Sequence, residues 1–304
     1  MPVGFEGETV PGPPESCKRK VRILPAKSSE KKNGLPFDLC AFDLDGTILR
    51  RDLIITERTI NAVQRLRERG ARLVVATGRQ YEGAYEHAYR MGFRGSEPVI
   101  CYGGAMIRSI DGETLLHRTM EREIGVEVLE WAQERELHVR IFLDGHIVSS
   151  PRTGVLLEYL KHPELTEATV AESPADWLRQ AEENPTKIFF VDYPDRIGDW
   201  LEAAREAFSG RLFVTRSLPH YVEVGGLEGT KSQALKFLCD RWGIEPDRTL
   251  AFGDADNDID MLRFAGHGVV VGGLTEAVRE AADTVAPSVD EDGVAHYVEE
   301  LLGR

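Results

Sequence analysis

Apolar runs that stop abruptly at small and acidic residues constrain this chain more than any other feature. FDLCAFDLDGT, ARLVVATGR and RTLAFGDADND each carry a strand-length apolar stretch into a polar cluster. Between the first two lies ITERTINAVQRLRERG, whose spacing predicts an amphipathic helix with Thr56 as N-cap and Gly70 at the stop. PVICYGGAMI reads as a third strand run. Strand, helix, strand, helix, strand in that order predicts a parallel sheet with crossover helices. The far end repeats the idiom: KSQALKFLCDRWG is helical, RTLAFGD a strand, NDIDMLRFAG helical and HGVVVG a short strand. TEAVREAAD and the final DGVAHYVEELLGR are read as helices.

The rhythm changes between about 110 and 220. GETLLHRT, HVRIFLDGHIVSS, PTKIFFVDY, RLFVTRS and HYVEVG are strand candidates, interrupted by helices expected at 121–136, 152–161, 173–182 and 195–209. The expected organisation is an α/β, Rossmann-like parallel-sheet core in two parts, 37–109 and 225–304, with an inserted α+β cap at 110–224. Residues 1–36 are rich in Pro, Gly, Ser and Lys and read as a flexible leader.

Net charge is −14, from 51 acids against 37 bases, which argues against nucleic acid as the main partner. A small phosphorylated ligand stays compatible with it, because a local cluster of donors can work inside an acidic protein. Cys17, Cys40, Cys101 and Cys239 form no CxxC pair, so a reducing, cytoplasmic setting is expected and not a disulfide framework or a zinc site. No run of 18 or more apolar residues suggests a membrane span.

If AFDLD is a strand end, Asp43 and Asp45 share one face and repel. In an open parallel sheet, ligands bind beyond the carboxyl ends of the strands. Asp43-Leu44-Asp45-Gly46-Thr47, Thr77-Gly78-Arg79 and Gly253-Asp254-Ala255-Asp256-Asn257-Asp258 all sit at such ends, and Lys231 opens a helix in EGTKSQAL. Asp43, Asp45 and Asp254 brought to one point call for a hard cation, and ligation by oxygen alone fits Mg2+ better than zinc. Thr77 offers a hydroxyl, Gly78 an unobstructed backbone N–H and Lys231 a compact positive charge, all suited to phosphate oxygens. One carboxylate can then attack phosphorus and a second serve as acid and base.

FDLDGTILR, ATGR, the Lys of EGTKSQAL and FGDADNDIDML together resemble, in that order, the four motifs of the haloacid dehalogenase superfamily. The insertion between the second and third is similar to the C2-type cap of its Cof-like phosphatases. The resemblance covers roughly 37–304 and implies Asp43 as nucleophile, forming a phosphoaspartyl intermediate. It implies Asp45 as the group that protonates the leaving alkoxide and later activates water. Mg2+ would be held by the Asp43 carboxylate, the Asp45 backbone carbonyl and Asp254, with Asp258 in support. Leu44 through its amide, Thr77, Gly78, Lys231 and Asn257 would hold the phosphoryl oxygens. Two departures stand out. Gly103-Gly104-Ala105 replaces the Asn-Gly-Ala of many relatives, and Val271-Gly272-Gly273-Leu274 replaces Met-Gly-Asn-Ala. Both remove an Asn side chain near the crevice mouth.

Two decoys fail. GGLEGTKS has Thr230 where a P-loop needs Gly, and DADNDID has Ile259 and Ala265 where an EF-hand loop needs Gly and Glu. The expected function is Mg2+-dependent hydrolysis of a small phosphomonoester, a sugar phosphate or similar metabolite. A phosphomutase on the same fold, a phosphoaspartate signalling receiver and an idle phospho-ligand binder are the alternatives. Specificity is expected in the cap, with Arg140, Lys187, Arg216 and His220 as candidates, and nothing in the chain marks an oligomeric interface.

Overall fold

Five short strands open the fold: β1 (Leu39–Phe42), β2 (Arg72–Ala76), β3 (Pro98–Cys101), β4 (Met106–Ser109) and β5 (Thr114–His117). The computed structural model describes residues 35–151, 168–273 and 275–303. The leader up to residue 34, Cys17, the helix expected at 152–161 and Leu274 lie outside the described residues. Late in the chain, β12 (Thr249–Gly253), β13 (His267–Val271) and β14 (Thr284–Ala286) complete an eight-stranded sheet in the order β14-β13-β12-β1-β2-β3-β4-β5. Pairing is parallel from β14 through β3 and antiparallel for β4 and β5.

Alternation along β1 explains the layering. Cys40 and Phe42 enter one apolar cluster, with Val75, Leu66 and Val298, while Leu39 and Ala41 enter a second, with Leu235 and Met261. Helices α1 (Glu57–Glu68), α2 (Tyr81–Arg90) and α8 (Gly293–Leu301) cover the first face. Helices α6 (Lys231–Trp242) and α7 (Ile259–Phe264) cover the second. Thr56 caps α1 as expected, its hydroxyl accepting from the Thr59 amide. The chain runs outward from β1 to β2 and β3, then returns as β12 on the other side of β1. Strand order therefore reverses at β1, the place where open α/β sheets form a crevice.

The inserted segment forms a six-stranded sheet of β6 (His138–Phe142), β7 (Ile147–Ser149), β8 (Thr169–Val170), β9 (Lys187–Val191), β10 (Leu212–Thr215) and β11 (Tyr221–Gly226). Its order is β10-β11-β9-β6-β7-β8. Val139, Ile141, Ile188, Phe190, Val222 and Val224 point into a cluster with helices α3 (Arg122–Gln133), α4 (Pro174–Gln180) and α5 (Pro194–Ala207). Trp131, Trp177 and Trp200 pack against that cluster, as their helical patterns suggest. The alternate residues Phe142, Phe189, Val191 and Tyr221 instead share a cluster with Tyr102 and Ala105 of the core. One face of the cap sheet is thereby turned onto the core crevice.

Two expectations are corrected. PVICYGGAMI is not one strand: Tyr102, Gly103 and Gly104 all have positive φ, and this tight turn reverses the chain from β3 into β4. GETLLHRT is not a cap strand, because β5 pairs with β4 at the edge of the core sheet. The expected boundary at 109/110 therefore falls between two paired strands. Periodicity could not reveal either point, since both depend on which neighbour a short apolar run finds.

Gly104 marks a joint within the core, where the β3–β4 turn meets the start of α6. Its φ is +113°, and a Cβ there would lie 2.0 Å from the Thr230 carbonyl oxygen, just before α6. Gly104→Ala is expected to cost roughly 2–4 kcal/mol, read as a lowered denaturant midpoint at unchanged m-value. An unshifted midpoint would show that the joint tolerates a side chain.

Candidate active site

The carboxyl ends of β1, β2 and β12 lie side by side and bring their polar clusters together. The Lys231 ammonium, at the first turn of α6, donates to Asp43 Oδ1 at 2.6 Å and to Asp258 Oδ1 at 2.6 Å. The other oxygen of Asp258 accepts from the backbone amides of Asp254 and Ala255, both at 3.1 Å. Asp258 is thus engaged on both oxygens and holds the turn after β12. Asp254 Oδ1 accepts from the Thr47 hydroxyl at 2.9 Å, tying the β12 turn to the β1 turn. The chain turns directly after Asp43, with the Leu44 carbonyl accepting from the amides of Thr47, Ile48 and Leu49.

Glycine is required at one point in that turn. Gly46 has φ +85°, and a Cβ on it would stand 2.4 Å from Asp254 Oδ2. Only a residue without a side chain lets the β1 turn approach the Asp254 carboxylate this closely.

Burial and mutual repulsion raise the acids. Asp43 is pushed up to about 7, chiefly by burial, with the Lys231 charge opposing and Asp258 and Asp45 adding to the rise. Asp254 also moves well above the usual carboxylate range, through burial and the charges of Asp43 and Asp258. Burial pulls the Lys231 ammonium down, but Asp258 and Asp43 outweigh it and the net shift is upward. One lysine therefore faces three buried acids, and negative charge is left over. Ligand oxygens of Asp43, Asp254 and Asp258 all lie within 4.8 Å of one another. With Asp258 engaged by Lys231 and two amides, the donor set offers Asp43 and Asp254 to a cation. Oxygen-only donors and a surplus of negative charge suit a hard divalent ion such as Mg2+.

Asp45 stands apart from this cluster. Its carboxylate is gripped in a two-point pair by Arg79, at 2.6 and 2.8 Å. Arg79 also lies 3.3 Å from His87 Nε2, and burial followed by the Arg79 charge holds His87 below its ordinary pKa. Arg79, whose role the sequence leaves open, thus braces Asp45 from the β2 turn. Thr77 is fully buried, its hydroxyl accepting from the Arg79 amide at 3.2 Å and its carbonyl from the Gly103 amide. Gly78 and Asn257 meet at the mouth: a Cβ on Gly78 would lie 3.9 Å from Asn257 Nδ2.

Of the cap candidates, Lys187 and Arg216 reach the crevice. Arg216 Nη2 donates to Asp256 Oδ2 at 3.2 Å, linking the cap to the β12 turn, and Asp256 also accepts from the Thr275 hydroxyl at 2.6 Å. Lys187 pairs with Glu223. Arg140 is buried on the same sheet face, near Phe142, and His220 packs edge-on against Tyr221. Glu223 is the residue sequence reasoning missed. Its place on β11, in register with Phe189 of β9, is the signal that sets it facing the core.

Comparison with known proteins agrees with this geometry. A family model described as haloacid dehalogenase-like hydrolase matches residues 40–298. The phosphatase YwpJ of Bacillus subtilis (strain 168) is 29% identical over 289 residues, covering 87% of this chain and 99% of the relative. An HMP-PP phosphatase of Enterobacter sp. (strain 638) is 30% identical over 273 residues, covering 88% of this chain and 96% of the relative. A solved haloacid dehalogenase-like hydrolase from B. subtilis superposes with a TM-score of 0.77 at 26% identity, covering 87% of this chain and all of that one. The chain belongs to the haloacid dehalogenase-like hydrolase family. Within it, the chain is one of the Cof-like phosphatases.

The raised carboxyls carry a pH signature. From pH 3.8, the ordinary value for Asp43, up to about 7, the metal-free folded protein holds a proton the unfolded chain has released. More protons bound when folded means that stability falls as pH rises through this window. Thermal melts in chelator should drop between pH 4 and pH 7, and Mg2+ should flatten that drop by supplying the missing positive charge. Identical profiles with and without Mg2+ would count against a cation at these acids.

Proposed function

We propose that this protein is a Mg2+-dependent phosphatase that hydrolyses a small phosphorylated metabolite, a sugar phosphate or similar phosphomonoester, through a phosphoaspartyl intermediate on Asp43. The observation that carries the reading is the Lys231 ammonium held between Asp43 and Asp258 beside Asp254, at the sheet's switch point. A carboxylate against a fixed ammonium, among backbone amides, suits attack on a phosphoryl group whose charge must be neutralised.

Asp43, the Asp45 backbone carbonyl and Asp254 would hold Mg2+, with Asp258 in support. When bound, the ion neutralises phosphoryl charge and keeps Asp43 ionised. A carboxylate oxygen of Asp43 forms a bond to phosphorus as the ester P–O bond breaks. Lys231, Asn257, Thr77 and the amides of Leu44 and Gly78 hold the phosphoryl oxygens. For that step Asp45, having left Arg79 and taken up a proton from solvent, gives the proton to the departing alkoxide. Asp45 then accepts a proton from water as the water oxygen attacks phosphorus, freeing phosphate and restoring Asp43. The cap, joined to the β12 turn by Arg216 and Asp256, excludes bulk water over these steps.

Among the described residues no helix is long and apolar enough to cross a membrane, and Cys40, Cys101 and Cys239 are free thiols. The free thiols fit the cytoplasmic setting of this reading.

Phosphate release from para-nitrophenyl phosphate tests the reading. Turnover should require Mg2+ and fall by at least ~1,000-fold in Asp43→Asn, which keeps the shape and loses the nucleophile. Release that survives Asp43→Asn would rule out the covalent route, and interconversion of phosphate isomers without net release would make the protein a mutase. Arg79→Met should lower kcat by roughly 10–100-fold with a smaller change in KM, because Asp45 loses its brace. An equal effect on KM would instead make Arg79 a substrate ligand.

A further inference from the structure

We propose that His87 is a positioning residue for Asp45. As a neutral acceptor it fixes Arg79, and through Arg79 it holds Asp45 as the carboxylate that activates water on the phosphoaspartyl intermediate. The inference rests on the phosphatase reading and deepens it.

The guanidinium of Arg79 works in two directions. Its Nε and Nη2 donate to the Asp45 carboxylate, at 2.8 and 2.6 Å. Its Nη1 turns to α2, lying 3.4 Å from the Gly83 carbonyl oxygen and 3.3 Å from His87 Nε2. Gly83 and His87 stand four residues apart, so one face of α2 provides both contacts. The Arg79 side chain is 9% exposed and that of Asp45 42%. The arginine is therefore the fixed member of the pair, and the carboxylate is the one with room to leave.

Hydrogen-bond chemistry sets the state of His87. Arginine only donates, so His87 accepts through an Nε2 lone pair and carries its ring proton on Nδ1. An imidazolium has no lone pair to offer and would place a second cation beside Arg79. Burial, followed by the Arg79 charge, favours the neutral ring, against the pull of Asp45 and Glu86. Glu86 is itself paired with Arg90, at 2.5 Å. Arg79 also lies just ahead of the first turn of α2, where the helix end opposes positive charge. A neutral acceptor steadies the guanidinium there without adding to that opposition.

The grip on Asp45 matters in the second half of the reaction. A water oxygen bonds to phosphorus, the P–O bond to Asp43 breaks with its electron pair returning to that carboxylate, and the water proton passes to Asp45. Asp45 enters this step as a carboxylate, and both its oxygens accept from Arg79 as a carboxylate's do. In the first half Asp45 acts as an acid, away from Arg79. Loosening Arg79 should therefore slow hydrolysis of the intermediate and spare its formation. para-Nitrophenyl phosphate isolates the effect, because its leaving group departs as an anion and takes no proton.

The test follows nitrophenolate release after rapid mixing with the Mg2+-loaded full chain. His87→Leu keeps a good helix former in α2 and removes the acceptor. It should leave the initial burst rate unchanged and slow the steady phase roughly tenfold. His87→Gln, whose amide oxygen is again a neutral acceptor, should bring the steady phase back to within about threefold of wild type. Added to Arg79→Met, His87→Leu should change the steady rate by less than about twofold, because the residue it works through is gone. An unchanged steady phase in His87→Leu, a burst slowed as much as the steady phase, or Gln as slow as Leu would each overturn the positioning role. A full loss on top of Arg79→Met would do the same. Release that depends on Asp43 and ignores His87 overturns this role alone. No release from wild type would remove the phosphatase reading and the role with it.

Discussion

The ammonium of Lys231, shared between Asp43 and Asp258, is the contact on which the rest of the site depends. Without it, three buried carboxyls would crowd the end of a parallel sheet with no positive charge among them. With it, Asp258 can spend its other oxygen on the amides of Asp254 and Ala255, which shapes the turn that presents Asp254. The Thr47 hydroxyl then links Asp254 back to the turn following Asp43. Each contact presupposes the one before it. The chain of contacts is also incomplete by one cation, since one lysine cannot balance three acids. That residual imbalance raises Asp43 and Asp254 together and makes the site receptive to a hard metal ion.

Core and cap divide the chemistry along the same boundary. The core supplies the acids, the lysine and the polar turns from neighbouring strand ends. The cap supplies a sheet whose far face is packed apolar under α3, α4 and α5, leaving its near face to carry Lys187, Glu223 and an aromatic wall. Tyr102 ties the halves together: its ring joins Phe142 in the shared cluster, and its hydroxyl donates to the Leu143 carbonyl at 3.2 Å. Arg108 pairs with Asp144 at 2.9 Å, and Arg118 donates to the Glu228 carbonyl where the two connecting strands of chain run side by side. The lobes meet through a few directional contacts around an apolar patch, an arrangement suited to closing over a substrate and opening again.

Much of this was legible in the amino-acid sequence. Apolar runs ending in DLDGT, TGR and GDADND determined a parallel sheet with its polar clusters at one end, because period-two burial and strand-end binding leave few other folds. The residue types, oxygen donors with one lysine, are what the proposed cation-assisted phosphoryl chemistry rests on. Tertiary structure alone decided the rest. Arg79 meets Asp45 because of how the β2 turn faces the β1 turn. β5 joins the core because the turn at Tyr102-Gly103-Gly104 folds β4 back on β3. Glu223 meets Lys187 only through the pairing of β9 with β11, across 36 residues of chain. Local pattern fixes which way a side chain points from its own strand; which neighbour it meets depends on long-range register, and that is settled only when the sheets assemble.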